Sequence, residues 1–159
     1  MNTRPDPTTP AADAEKAMAQ DMLSLPHAAL SYIGTDGLPG ISRIAMGRDE
    51  LGVPLTLISA LAPHFGALRT HPACAVMLGE PGERGDPLTH PRLMLRAKAE
   101  FAAPQDRAAL RAIWLAGHPK AKLYVDFADF AFVRLFPVSA LLNAGFAKAF
   151  TLTPADLVR

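Results

Sequence analysis

The clearest alternation of hydrophobic and polar positions in this chain lies between Pro91 and Ala102. Apolar and polar residues take turns there, as expected for a strand with one face in a core and the other in solvent. The predicted core face consists of Leu93, Leu95, Ala97, Ala99 and Phe101, and the opposite face of Arg92, Met94, Arg96, Lys98 and Glu100. The pattern therefore predicts a β-strand with one basic face.

Three other segments show helical spacing. Asp13–Leu25 is amphipathic and stops before Pro26, a second helix follows Pro104, and a shorter one begins at Pro63, where a first turn tolerates proline. The apolar stripes of the first two helices are Ala17, Met18, Met22 and Leu25, and Leu110, Ile113, Trp114 and Gly117. These segments predict short peripheral helices, with Trp114 in the core or at a subunit contact.

The remaining apolar segments are short and rich in residues that favour strands. His27–Thr35 and Gly40–Arg48 flank the turn Asp36-Gly37-Leu38-Pro39, which is typical of a hairpin. Further strands are predicted at Pro54–Ser59, at Ala73–Gly79, at Phe127–Leu142 with an interruption at Pro137, and at Phe150–Leu152. Six or seven β segments with short helices between them predict a mainly β, α+β fold, arranged as a closed or half-closed antiparallel barrel.

A candidate ligand site lies where the strand Pro54–Ser59 meets the helix that begins at Pro63. Free backbone N–H groups and the positive end of the helix dipole favour an anion at such a corner. Ser59 and His64 flank it, and a hydroxyl and an imidazole suit a phosphate. The alternative is an ordinary turn with a capping serine and a solvated histidine. Arg43, between two apolar neighbours on one strand face, fits either an anion contact or a side chain that reaches solvent.

Composition limits the class of protein. The chain has 159 residues, a net charge of +1 and one cysteine, Cys74, inside an apolar run. These values predict one domain over residues 13–159 behind a loose, proline-rich leader over residues 1–12. Near-neutral charge argues against nucleic-acid binding, and no apolar run is long enough for a membrane span or a signal peptide. We therefore expect a cytoplasmic protein whose cysteine is a small core residue.

Local motifs name no catalytic residue. The sequence contains no P-loop, no GxGxxG fingerprint, no HExxH helix and no GxSxG elbow. Its five histidines are scattered, and three of them, His71, His90 and His118, precede a proline and are expected in loops. This spacing predicts no metal site.

Four blocks of the sequence together resemble a known family. They are TLISALAPH (residues 56–64), GDPLTHPRLMLRAKAE (85–100), HPKAKLYVDFADFAFVRLFPV (118–138) and LNAGFAKAF (142–150). These blocks resemble the pyridoxamine 5'-phosphate oxidase-like, FMN-binding split-barrel superfamily and, within it, the haem-utilisation (HugZ-type) branch. The resemblance runs from about Ala17 to the C-terminus. It implies a six-to-seven-stranded antiparallel split β-barrel with short peripheral helices.

The resemblance also implies a homodimer with one FMN in each of two clefts between the subunits. Arg43 would reach the phosphate, and a dianionic phosphate would raise the pKa of His64. The implied cofactor-binding residues are Arg43 at the phosphate, Ile44 and Ala45 with backbone groups beside the ring, Ile58, Ser59 and His64 at the phosphate and ribityl chain, and Gly145 and Phe146 from the second subunit.

Two departures from the family pattern shape the functional expectation. Pro63-His64 stands where pyridoxamine phosphate oxidases have a basic Arg-Lys pair, and haem-degrading members carry further C-terminal residues that this sequence lacks after Arg159. We expect first an FMN-dependent oxidoreductase that acts on a small-molecule acceptor. The alternatives are haem binding or oxygen-dependent haem breakdown, with His64, His90 or His118 as axial ligand, a flavin carrier without turnover, and an interaction module without flavin.

Overall fold

The computed structural model describes residues 8–158, which form one sheet with helices packed around it. The strands are β1 Thr8–Pro10, β2 His27–Ile33, β3 Pro39–Ala45, β4 Gly47–Arg48, β5 Pro54–Ser59, β6 Ala73–Leu78, β7 Arg92–Phe101, β8 Phe130–Gly145 and β9 Lys148–Leu152. The α-helices are α1 Asp13–Leu23, α2 Pro63–Thr70, α3 Arg107–Gly117 and α4 Pro154–Leu157, and short 3-10 helices span Pro87–Thr89, Pro104–Asp106 and Pro119–Leu123.

The main path of the sheet has the strand order β1-β9-β8-β7-β6-β2-β3. Its pairs are antiparallel except for β1 with β9, which is parallel. Off this path β5 pairs with β8, and β4 pairs with β5. Within residues 8–158, β3 pairs only with β2 and β4 only with β5, so the sheet is not closed into a barrel.

The predicted mainly β, α+β class is confirmed, and the predicted strand count is corrected. The described residues hold nine strands in one sheet instead of six or seven. The difference comes from β1, whose three residues are too short to show a hydrophobic period, and from β4, which is the end of the predicted strand Gly40–Arg48, divided at Met46. The leader predicted over residues 1–12 is also corrected in part, because Thr8–Pro10 pairs with Ala149–Thr151. Residues 1–7 of that leader lie outside the described residues.

The alternation in β7 has the predicted orientation. Leu93, Leu95 and Ala97 are buried, whereas Arg96 and Lys98 are exposed. β8 runs past the predicted interruption without ending. Its register against β7 shifts between Arg96 and Ala97, opposite Ser139 and Pro137. A bulge is a place where a strand accommodates a proline, which has no N–H for the ladder.

Two clusters of buried side chains stabilise the fold. The larger one joins α1 and α2 to the inward face of the sheet and includes Leu30, Leu95 and Leu135. The smaller one lies beneath α3, where Leu110 and Trp114 pack against β5 and β8. Trp114 is therefore a core residue, which was one of its two predicted positions. No helix in the described range is long and apolar enough to span a bilayer.

Cys74 is partly buried on β6, with its Sγ 3.7 Å from the carbonyl oxygen of Ala97. Burial disfavours the thiolate and raises the pKa of the Cys74 thiol to about 11. The thiol is therefore unreactive at neutral pH, in line with the predicted small core residue.

Candidate functional site

Strand β3 carries three of the implied cofactor residues and presents them in different directions. The alternation of the strand points Ile44 into the core and leaves the side chain of Arg43 77% exposed. Ala45 is half-buried, and its carbonyl oxygen accepts a 2.8 Å hydrogen bond from the Thr56 hydroxyl. That carbonyl is already paired within the chain. Arg43 is the one of the three whose functional group is open to a ligand.

The guanidinium of Arg43 lies beside an imidazole and a carboxylate. Its Nη2 is 3.8 Å from Oε1 of Glu80, and Nδ1 of His27 is 3.9 Å from the same oxygen. His27 opens β2 directly opposite Ala45, and Glu80 follows β6 by two residues. We call His27, Arg43 and Glu80 the rim cluster. Its contacts are long and its side chains exposed, so these groups are only loosely bound to one another.

A cavity of about 520 Å³ opens beside the rim cluster, between α1, β2 and the end of β6. Its lining is mostly apolar and rich in thioethers, and His27 and Glu80 belong to it. The lining residues are Met18, Asp21, Met22, Leu25, His27, Ala28, Met77, Gly79, Glu80 and Pro91. We call it the methionine cavity. An apolar cavity of this size with a few polar groups at its edge is the usual form of a small-molecule site, and methionine adapts to irregular ligands.

At the strand-to-helix corner predicted from the sequence, Ser59 and the backbone N–H groups of Ala60 and Leu61 are already paired. Ser59 Oγ donates a 2.7 Å hydrogen bond to Oδ2 of Asp129 and accepts one from the backbone N–H of Leu61. The N–H of Ala60 donates to the carbonyl oxygen of Asp129. A carboxylate so close to the corner disfavours a second anion there. The role of Ser59 toward a phosphate stays a prediction.

His64 lies at the second position of α2 and is only 8% exposed. Its ring is 5.8 Å from that of Tyr32, and its Nδ1 has no hydrogen-bond partner among residues 8–158. Burial disfavours the imidazolium and lowers the pKa of His64. This direction is opposite to the one expected from a neighbouring phosphate, because the predicted shift required an anion that the surrounding side chains do not supply. Ile58 points into the larger core cluster.

Gly145 and Phe146 lie at the turn between β8 and β9. Gly145 has φ +144°, a conformation that favours glycine, and Phe146 is 83% exposed. In the sheet path β7, β6 and β2 separate β8 from β3. The contribution of this turn to a site at Arg43 from a second subunit stays a prediction.

Two of the histidines considered as haem ligands have structural roles. His90 accepts a hydrogen bond at Nδ1 from the Gly82 N–H and places Nε2 2.8 Å from the carbonyl oxygen of Arg84. His118 places Nε2 2.8 Å from the carbonyl oxygen of Met46 and stacks on Trp114. These bonds hold a loop and a helix end in place. Among residues 8–158 no group of three or more His, Cys, Asp or Glu side chains could hold a metal ion on its own.

Comparison with known proteins supplies the family. No family model matches the chain. The chain is 35% identical over 116 residues to the non-canonical heme oxygenase HOZ, chloroplastic, of Arabidopsis thaliana, which covers 72% of this chain and 35% of that protein. The chain thus spans about a third of the length of this curated relative.

Solved structures agree with that match. A heme-binding protein from Mycobacterium smegmatis is 25% identical, with a TM-score of 0.80 over 92% of this chain and 61% of its own. A protein from Clostridium acetobutylicum related to general stress protein 26, of the pyridoxinephosphate oxidase family, is 15% identical, with a TM-score of 0.70 over 92% of this chain and 99% of its own, and it shares the fold. The chain belongs to the pyridoxamine 5'-phosphate oxidase-like split-barrel superfamily, in its haem-utilisation branch.

The sequence pattern points to Arg43, whose role stays a prediction, but not to His27, Glu80 or the methionine cavity. Met18 and Met22 stand one turn apart on α1, a spacing that predicts only the apolar stripe of an amphipathic helix. His27 and Glu80 are distant in sequence and meet because β2 pairs with β6, with Ala29 opposite Met77. Only the strand pairing, which no local pattern encodes, reveals that the two side chains share an edge.

Proposed function

We propose that this chain binds haem and takes part in its oxygen-dependent breakdown. The similarity to a heme oxygenase and to a heme-binding protein supports this function at least as well as the flavin oxidoreductase that we expected first. Because the chain spans about a third of the curated relative, the activity is a proposal for this chain.

The observation that carries the proposal is the methionine cavity, whose lining residue Glu80 has the guanidinium of Arg43 3.8 Å from its carboxylate. Haem is a large apolar macrocycle with two carboxylates at one side, so it needs an apolar pocket next to a positive group. Met18, Met22 and Met77 provide soft apolar surface, and the guanidinium of Arg43 stands beside the polar end of the cavity. The residues present therefore fit the group.

Haem would be the substrate in this reaction, and it would supply the iron at which oxygen reacts. The part of the chain is to hold the macrocycle. The thioethers of α1 and β6 would exclude water from its face, and Arg43 would bind one of its carboxylates. No side chain of the described residues is assigned a proton-transfer role.

A titration of the purified chain with ferric haem tests the function. We expect a saturable Soret band at one haem per chain, followed by its loss, with release of an open-chain product, when ascorbate and oxygen are added. Haem with the same ascorbate and oxygen in buffer without the protein is the control for non-enzymatic bleaching. A titration that never saturates would contradict haem binding, and a saturated complex that bleaches no faster than free haem would contradict breakdown.

A flavin oxidoreductase with FMN and a small-molecule acceptor is our second candidate. The observation in its favour is that Arg43 leaves most of its guanidinium exposed on β3, where it can form a bidentate bond with a phosphate. The pairing of Ser59 with Asp129 weighs against the remaining part of the phosphate site. Quenching of FMN fluorescence on addition of the protein would support this candidate, and fluorescence unchanged at micromolar protein would contradict it.

We also propose a homodimer located in the cytoplasm. Support for the dimer comes from exposed large apolar side chains on the strands, among them Ile41, which is 76% exposed, and Val138. Light scattering of the eluting protein tests this state. We expect twice the chain mass, reduced toward the chain mass by Ile41→Glu. A monomer at all concentrations would contradict the proposal.

A further inference from the structure

His27 lines the methionine cavity. One of its ring nitrogens is near a carboxylate, and the other makes no hydrogen bond within residues 8–158. Its side chain is 46% exposed, and its Nδ1 is 3.9 Å from Oε1 of Glu80. Its Nε2 makes no hydrogen bond to any other residue in the described range 8–158. A neutral imidazole in this state has a free ring nitrogen that can bind a metal.

The other histidines of the chain do not offer this combination. His90 and His118 have ring nitrogens bonded to backbone groups, and His64 is buried beside Tyr32, away from the cavity lining. His71 precedes β6, whereas the cavity lies at the opposite end of that strand, at Met77 and Gly79. His27 is the histidine that lines the cavity.

The backbone conformation on either side of Glu80 positions its carboxylate near His27. Gly79 has φ +100°, and a Cβ there would lie 2.7 Å from the carbonyl oxygen of Pro91, so only glycine fits. Pro81 restricts Glu80 to an extended conformation. The close approach of Gly79 and Pro91, together with this restriction, places the Glu80 carboxylate at the edge of the cavity.

A carboxylate beside the second ring nitrogen is what a metal-binding histidine normally has. Such a partner accepts the N–H of that nitrogen, fixes the tautomer and raises the basicity of the nitrogen that binds the metal. Glu80 lies 3.9 Å from Nδ1 of His27, beyond hydrogen-bond distance, so its carboxylate would have to move closer to take this role. The charged groups facing His27 are Glu80 and Arg43 at the rim and Asp21 from α1. A haem carboxylate that binds Arg43 would separate the Arg43 guanidinium from Glu80. The Glu80 carboxylate would then be available to His27.

We propose that His27 is the axial ligand of haem iron in this chain and that Glu80 orients its ring. The assignment rests on the haem binding proposed above. In this assignment Met18, Met22 and Met77 would contact the macrocycle, and Arg43 would bind one of its carboxylates.

The test compares His27→Ala and Glu80→Gln with His71→Ala as the matched control, each as a complex with ferric haem. We expect electron paramagnetic resonance of the unaltered protein to show a nitrogen ligand on the iron. His27→Ala should lose that signature and weaken haem binding about tenfold or more, and added imidazole should restore the signature. Glu80→Gln should retain the ligand and lower the Fe–His stretching frequency of the ferrous complex. His71→Ala should match the unaltered protein.

The outcomes separate the two proposals. If the unaltered protein binds no haem, the function fails and the ligand assignment fails with it. If it binds haem and His27→Ala keeps the nitrogen signature, the function stands and the assignment is overturned. Circular dichroism of each variant, together with rescue by imidazole, distinguishes loss of a ligand from loss of the fold.

Discussion

The rim cluster and the strand-to-helix corner contain similar groups in opposite states. Each region has an imidazole, and each has a carboxylate near a polar side chain. At the corner the Ser59–Asp129 bond is 2.7 Å long and His64 is 8% exposed, whereas at the rim His27 and Glu80 are 3.9 Å apart and both exposed. The comparison teaches that the Ser59–Asp129 pair, already hydrogen-bonded, stabilises the fold, whereas loosely paired side chains beside an apolar cavity are available to a ligand.

The largest expected effect comes from placing a charge in the methionine cavity. Met22→Glu should weaken haem binding about 100-fold, since a carboxylate against the macrocycle would have to be buried without a partner. Ala17→Glu, on the exposed side of the same helix, is the control and should leave the haem dissociation constant unchanged. Equal affinity of the two variants would place haem elsewhere.

The corner should respond in stability and not in haem binding. Ser59→Ala removes the hydroxyl that donates a hydrogen bond to Asp129, so we expect the free energy of unfolding in urea to fall by about 1–2 kcal/mol. Thr70→Ala, which removes an exposed hydroxyl bonded within its own helix, should change it by less than about 0.5 kcal/mol. A strong loss of haem or FMN affinity in Ser59→Ala, with stability retained, would reverse the comparison.

A smaller effect is expected from the titration of His64. Burial lowers the pKa of His64 in the folded state, so the unfolded chain binds the proton more readily. Its contribution to stability is complete above the unfolded pKa of about 6.5 and is lost as the pH falls from there toward the folded value. Urea midpoints at pH 7.5 and pH 5 should therefore differ less in His64→Gln than in the unaltered protein. An identical pH dependence in both would contradict the buried, neutral imidazole.

The smallest expected effect separates the haem proposal from the flavin candidate. Arg43→Ala should weaken haem binding about two- to five-fold, because an exposed ion pair contributes little, and the difference should shrink in high salt. Arg96→Ala, on the exposed face of β7, is the control. Loss of FMN binding in Arg43→Ala alongside unchanged haem binding would favour the flavin.

Local patterns predict the parts of this fold that have a regular period. The alternation in β7 and the turn Asp36-Gly37 are confirmed, the latter by Gly37 at φ +82° and a bond from the Leu38 N–H to Asp36. β1 could not be predicted, because three residues ending in proline become a strand only through pairing with β9 at the far end of the chain.

The candidate site was predictable only in part, for a related reason. Arg43 is unusual within its own strand, so sequence alone brought it to notice. His27 and Glu80 are ordinary in their own segments, and the methionines of α1 match a packed stripe. Their common position depends on the pairing of β2 with β6 and on the close approach of Gly79 to Pro91. Conversely, the side chains of Ser59 and His64 suit a phosphate when judged from the sequence. In the structure Ser59 is hydrogen-bonded to Asp129, and burial lowers the pKa of His64.

The most direct test of the central claim is the position of iron in crystals of the chain grown with ferric haem. Anomalous diffraction at the iron edge locates that atom without reference to the rest of the ligand. We predict a single peak per chain beside Nε2 of His27, at the edge of the methionine cavity. A peak at the corner of Ser59 and His64 would contradict the account, and so would a peak far from both that corner and the methionine cavity.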